Sequence, residues 1–453
     1  MMNVRPVYEM LTELCGRESL HMPGHKGRGP YGAVDPYALD ATELPVTDDL
    51  YCPERGLKAA EALYAKAAGA AETLFLHNGS TAGIHVMIQL YAGEGDTILL
   101  PRNAHLSAQS GCVLGGVNAV WMPFTQTADG YCYAAEETVL RAMDEHPGAK
   151  AVLLTRPDYF GGCMPLNRVT EKARRLGMRV IVDEAHGAHF PWLQGMDSAG
   201  AAGADAWVQS VHKTLPGLTG AAVLHLRDGA DRPRAMRVLR REQTSSPSFL
   251  LMMSIDDARA MMEERGAAAL AGTARLADAV RAQLPALGYR DAHALWRGTG
   301  QLFDPTRLVI DAPQGGFALA QALADADIDA EMADDRRVVL ILTAMDDAAA
   351  FVRLTEALRR LPPEKRELPR LPDMTRLPPV RLTLRRGAMA ESETVPLSRA
   401  AGRIAGTAAG LYPPGIPLVC PGEEITEETA AMLSRAGNRQ RFGTEEEGIV
   451  CVK

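Results

Sequence analysis

Lys213 stands in the stretch "QSVHKTLPGLTG", just past an apolar run, and is one of only eight lysines in the chain. Thirty residues earlier, "RVIVDEAHGAHF" places Asp183 where another apolar run ends. An amine desolvated among cations has a lowered pKa and attacks carbonyl carbon to form a Schiff base. A buried carboxylate stabilises a neighbouring cation strongly at low dielectric, including a protonated heteroaromatic nitrogen. The stretch "FLHNGSTAGIHVMIQL" reads as strand, then Asn78-Gly79-Ser80-Thr81, then helix. Glycine admits close backbone approach, hydroxyls donate, and a helix N-terminus carries exposed N–H groups, a combination suited to phosphate. Each feature alone has a plainer reading: a packed or surface lysine, a capping or ion-paired aspartate, a Ser/Thr N-cap.

Taken in order, the set describes pyridoxal phosphate. Ser80, Thr81, Ser210 and His212 would hold the phosphate, Gly79 would let the backbone approach the cofactor, and Lys213 would carry the aldehyde. Asp183 would keep the pyridine nitrogen protonated as an electron sink. His105, after "DTILLPRN", would lie flat on the ring face. His186, three residues past Asp183, would reach the ring's phenolic oxygen or serve as an N-cap or core histidine.

These residues need a scaffold that brings strand ends together. From residue 56 to about 226, helical stretches alternate with "TLFLH", "DTILLP", "AVWMPF", "AVLLTRP", "RVIVDEAH", "AWVQSVH" and "AAVLHL". Continuous apolar runs rich in β-branched residues, separated by helices, predict an α/β fold with a buried, mostly parallel sheet. Ligands of such sheets bind beyond the carboxyl ends of the strands. "AAALAGTARLADAVRAQL" predicts a long helix leading to a smaller α/β unit with "TRLVIDA", "GFALAQALADADI" and "RVVLILT". The Pro-rich "RLPPEKRELPRLPDMTRLPPV" predicts an extended connector. The expected division is 1–55 as an N-terminal segment serving dimer and active site, 56–290 as the cofactor domain, 291–362 as the small α/β domain, 363–380 as linker, and 381–453 as a C-terminal domain.

Composition narrows the function classes. A formal charge of −8, without Lys/Arg clusters interleaved with aromatics, argues against a nucleic-acid binder. Seven cysteines without a CxxC pair argue against a disulfide framework and for a reducing cytoplasm. No apolar run reaches membrane-span length and no signal peptide is legible. Gly27, Gly29 and Gly32 match GxGxxG, yet no strand precedes them and a proline interrupts them, so a dinucleotide reading fails. His21 and His25 are separated by "MPG", which forbids the helix a metal pair would need, and no metal is expected.

The chain resembles the bacterial ornithine/lysine/arginine decarboxylases through "HMPGHKG", "DATELPVTDDLYCPE", "HNGSTAG", "RNAHLS", "VDEAHGAHF", "GADAWVQSVHKTLPGLT", "SSPSFLLMMSID" and "YPPGIPLVCPGE". The likeness covers nearly all of it. It implies an aspartate-aminotransferase-like fold (fold type I), pyridoxal 5'-phosphate, and decarboxylation of a basic amino acid to agmatine, cadaverine or putrescine. By resemblance Lys213 is the Schiff-base lysine, Asp183 the pyridine-nitrogen partner, His105 the stacking histidine, and Ser80, Thr81, Ser210 and His212 the phosphate ligands. The family also implies a homodimer or larger with shared active sites, "SSPSF" and "HMPGHKG" serving the neighbouring cofactor. The position of "HMPGHKG" at residue 21 resembles the short, typically biosynthetic class that lacks the N-terminal wing domain, which points towards polyamine biosynthesis. Asp48, Asp49 and Glu54 are candidates for the substrate's distal cation, on acidity and family match. Three positions depart from the family: Leu106 where "RN.HKS" has lysine, Gly220 where "ALTQ" ends in glutamine, and Arg55 inserted into "PEG". The rival readings are an aminotransferase or acyl-transferring synthase of the same fold, and a regulatory protein that binds the cofactor without turnover.

Overall fold

The computed structural model describes residues 17–28, 36–44, 46–361, 364, 373–413, 415–436, 440–446 and 448–453. Parts of the proposed 1–55 segment and 363–380 linker therefore lie outside the described residues. Seven strands form one sheet: β1 (Glu72–Leu76), β2 (Thr97–Pro101), β3 (Asn118–Met122), β4 (Ala151–Thr155), β5 (Arg179–Asp183), β6 (Ala206–Ser210) and β7 (Ala222–Leu226). Their order is β1-β7-β6-β5-β4-β2-β3. Each coincides with one of the seven apolar runs. Pairings from β6 through β3 are parallel, while β7 runs antiparallel to both β6 and β1.

Alternate residues of each strand enter opposite cores, as a sheet covered on both faces requires. Phe75, Leu99, Val152, Leu154, Val180, Val182 and Val223 pack on one side. Leu74, Leu76, Ile98, Leu100, Leu153, Ile181 and Val208 pack on the other. Helices α1 (Gly56–Ala68), α2 (Gly79–Tyr91), α3 (Leu106–Gly115) and the short α4 (Val211–Thr214) bring the chain to the strand ends that matter below.

The predicted bridging helix is longer than its Ala-rich core. Helices α5 (Phe249–Met261) and α6 (Ala267–Gln283) are joined by a π-helical turn at Met262–Gly266. A second sheet follows, with β8 (Arg290–Asp291), β9 (Arg307–Asp311), β10 (Met332–Ala333) and β11 (Arg337–Ile341) in the antiparallel order β8-β9-β11-β10. Beyond it lie two three-stranded sheets, one built from Ala409–Tyr412 between Pro417–Val419 and Gln440–Phe442.

Two connections tie these units to the large sheet. Arg102 reaches Glu423 with both terminal nitrogens at 2.8 Å and donates Nε–H to the Pro417 carbonyl. The stretch 17–28 pairs Glu18–Leu20 with Ile328–Ala330, and the Gly24 N–H donates to the His212 carbonyl at 2.7 Å. A Cβ on Gly24 would lie 2.7 Å from the Leu215 carbonyl oxygen, so only glycine permits this approach. Among the described residues, no helix is long and apolar enough to cross a membrane, and all six cysteines are unpaired.

Candidate active site

The strand ends of β1, β2, β4, β5 and β6 surround a cavity of about 500 Å³. Ser80, His105, Asp183, His186 and Lys213 all line it. Their placement follows from strand alternation and helix starts. Asp183 is the last residue of β5, register-paired with Thr155 on one side and Val208 on the other. Its side chain faces the cavity, 5% exposed, and its Oδ1 accepts the Ala185 N–H at 3.1 Å. Glu184, the next residue, points the opposite way into Arg156, Gln209 and the Ala199 amide.

Lys213 extends from α4, directly after β6. Burial, aided by the Arg307 cation, lowers its pKa against the opposing pull of Asp183 and Glu331. His105 caps α3, its Nδ1 accepting the Ser107 N–H at 3.2 Å and lying 2.8 Å from the Ser107 hydroxyl. That bond directs the ring and puts its proton on Nε2. Burial lowers the His105 pKa, with Lys213 adding to the effect and Asp183 opposing it. His186 lies 3.2 Å from the Lys213 amine through Nε2 and is depressed well below its ordinary pKa by burial and then by Lys213 and Arg307.

The phosphate region is a partial match to its expectation. Ser210 Oγ donates to Ser80 Oγ at 2.9 Å, joining the end of β6 to the first turn of α2. Gly79 opens α2 at φ 68°, and its N–H donates to the Gly220 carbonyl at 3.0 Å. Asn78 makes no side-chain cap on α2, which leaves the first-turn amides after Gly79 available to an anion. Thr81 is exposed on the outer side of that turn. His212 does not line the cavity; its Nδ1–H donates to the Ala221 carbonyl at 3.0 Å.

Asp48, Asp49 and Glu54 are not brought to the cavity wall within the chain. The Asp48 carboxylate accepts the N–H groups of Asp49, Glu54, Arg55 and Leu57, which makes it a staple for the loop entering α1. Asp49 accepts the Tyr51 N–H at 2.8 Å, and Glu54 is exposed.

Other wall residues escaped the sequence reading. Asn103 and Thr155 line the cavity with Oδ1 and Oγ1 buried and without a hydrogen-bond partner among the described residues. Asn103 sits just past an apolar run and Thr155 closes β4, where the strand-end rule would have found them. Tyr159 tilts over His186 at 5.1 Å between ring centres and donates its hydroxyl to Glu331. Tyr412, Gly415, Ile416, Gln440, Arg441 and Phe442 form a wall from the C-terminal sheet. Leu106 lines the cavity where the family pattern has lysine, and Gly220, at φ 99°, occupies backbone that a glutamine would find strained.

The donor set fits a phosphorylated pyridine aldehyde: an amine, a buried carboxylate, an open helix N-terminus with two hydroxyls, and orphaned polar atoms around a cavity of suitable size. This sheet and the position of its site define the aspartate-aminotransferase-like class, fold type I, whose members include pyridoxal-phosphate enzymes. The family model described as Orn/Lys/Arg decarboxylase, major domain, matches residues 5–297, and its C-terminal domain matches 374–443. The chain belongs to the Orn/Lys/Arg decarboxylase family of carboxy-lyases.

Among curated relatives, arginine decarboxylase of Bacillus subtilis (strain 168) is 31% identical, with 94% of this chain and 92% of that protein covered. Arginine decarboxylase of Halalkalibacterium halodurans is 32% identical over 92% of this chain and 90% of the relative. Lysine decarboxylase A from Pseudomonas aeruginosa has the same fold, with a TM-score of 0.78 at 18% identity, covering 92% of this chain and 74% of that one.

Proposed function

We propose that the chain is a pyridoxal-phosphate-dependent α-decarboxylase of a basic amino acid, with arginine or lysine favoured and ornithine as third candidate. The products would be CO2 and agmatine, cadaverine or putrescine. One observation carries the reading: Lys213, Asp183 and Ser80 converge on a single cavity, with Ser210 behind Ser80 and bonded to it. The arginine and lysine preference rests on the names of the relatives described above.

When bound, the cofactor supplies an electron sink for the pair left on the α-carbon as CO2 departs. The protein's part is positioning and proton control. Ser80, Ser210 and the first-turn amides of α2 would hold the phosphate. Asp183 would hold a proton on the ring nitrogen, because a buried carboxylate favours the neighbouring cation. His105 would cover one ring face, oriented by its cap on α3. Lys213, its pKa lowered by burial, would be the nucleophile towards the aldehyde and, with His105, a candidate to deliver a proton to the α-carbon. The C-terminal wall and Leu106 would exclude water.

Gly79 and His186 would complete the cofactor shell, while Thr81 and His212 are second candidates for the phosphate. Asp48, Asp49 and Glu54 would meet a substrate's distal cation only from a second copy of the chain. We accordingly read the active form as a homodimer or larger, in the cytoplasm, with a role in polyamine biosynthesis. Light scattering on active protein tests the assembly. Incubating the purified holoenzyme with arginine, lysine and ornithine, and identifying the amine by mass spectrometry, tests the reaction. A keto-acid or CoA-dependent product would instead support the aminotransferase or synthase reading, and binding without CO2 release the regulatory one.

A further inference from the structure

Two potential cations face one imidazole at the junction of the two sheets. His186, 7% exposed, lies 3.2 Å from Lys213 Nζ through Nε2 and 3.5 Å from Arg307 Nη2 through Nδ1. Arg307 is the first residue of β9 and is 1% exposed. Its stem passes over Gly161, where a Cβ would come within 2.8 Å of the Arg307 Cβ. The same segment holds the neighbouring histidine: Asp304 Oδ2 and Thr306 Oγ1 each lie 3.2 Å from His189 Nε2. Residues 304–307 and 186–189 thus meet at two points, which fixes their separation.

A neutral imidazole carries a single N–H. A guanidinium only donates and does not give up its proton in a protein. With Arg307 donating, Nδ1 must accept, and the ring proton must sit on Nε2. That N–H points at Lys213, which can accept it only through the lone pair of an uncharged amine. We propose that Arg307 is a positioning residue: by holding the His186 proton on Nε2 it keeps Lys213 as the free amine, the form that adds to a carbonyl. The use of that amine rests on the proposed function, but the tautomer does not.

The test uses the full chain without cofactor, labelled with 15N-histidine. In the unsubstituted protein the His186 signal, identified by its loss in His186→Gln, is expected to show an acceptor Nδ1 and a protonated Nε2. In parallel, the pH dependence of Lys213 acetylation is read by peptide mass spectrometry. Arg307→Met is expected to lose the tautomer preference and to move the acetylation midpoint up by about one pH unit, while Arg307→Lys stays near the parent. A proton on Nδ1 in the unsubstituted protein overturns the proposal whether or not Arg307→Met folds. So does an Arg307→Met protein identical to the parent in both readouts. Neither readout involves decarboxylation, so a failure of the functional reading is seen separately, as absence of amine product.

Discussion

Two buried arginines mark two kinds of junction in this molecule. Arg102 bridges the large sheet to the C-terminal module with every charge answered: two matched bonds to Glu423 and a third to a carbonyl. Arg307 bridges the large and second sheets without a salt bridge among the described residues: one nitrogen reaches His186, another the Tyr159 carbonyl at 3.5 Å, Asp158 and Asp304 feel its charge from farther off, and its Nε has no partner. Matched charges hold modules in register. Crowded ones that lack a directly paired carboxylate displace protonation equilibria, which is where chemistry becomes available.

The comparison breaks most sharply at Lys213. Lys213→Ala is expected to lower CO2 release by roughly 10^2- to 10^4-fold or more, the range a lost proton-transfer group alone can remove. Its near-visible absorbance band should vanish, while the urea midpoint should not fall, because a buried amine has been taken away. At the matched junction the pattern inverts. Glu423→Gln leaves Arg102 buried without its anion and is expected to cost about 3–5 kcal/mol in urea unfolding, with kcat of the folded enzyme little changed. The double variant Arg102→Met with Glu423→Leu should recover most of that stability.

Acid sharpens the contrast from another side. His225, buried between Thr73 and Gln209, is held down to about 3 by burial, and His293, bonded to the Phe160 carbonyl, likewise to about 3. Their folded pKa values lie below the unfolded one, so below about pH 6.5 the unfolded chain binds protons that the folded chain refuses. Each histidine therefore removes up to about 1.4 kcal/mol of stability per pH unit between pH 6.5 and 3, against the opposite contribution of Glu61, Asp158 and Glu184, whose folded pKa values are raised by burial, and His225→Asn should lose less stability on acidification than the parent. The smallest expected effects separate the phosphate candidates. Ser80→Ala should weaken cofactor retention roughly tenfold by equilibrium dialysis, whereas Thr81→Ala, on an exposed side chain, should stay within about twofold.

The seven strands were legible because each is a continuous apolar run, and strand-end placement carried Asp183 and Lys213 with them. The reversed direction of β7 was not read, although only residues 211–221 separate it from β6, fewer than a parallel crossover needs. Arg307 was out of reach for a different reason. It follows His186 by more than a hundred residues, and its partner is set by how two sheets pack, which no local spacing encodes. The C-terminal wall at Tyr412 and Phe442 is hidden in the same way. Asp48 shows the converse: acidity marked it for a cation, yet four nearby backbone amides claim it.

The cap at His105 has a consequence for how the site comes into being. Because one ring nitrogen starts α3, winding of that helix and aiming of the ring are a single event. A substitution at Ser107, although not itself on the cavity wall, would loosen the ring's tilt as surely as a change to the histidine itself, and evolution could retune this surface by editing a helix start.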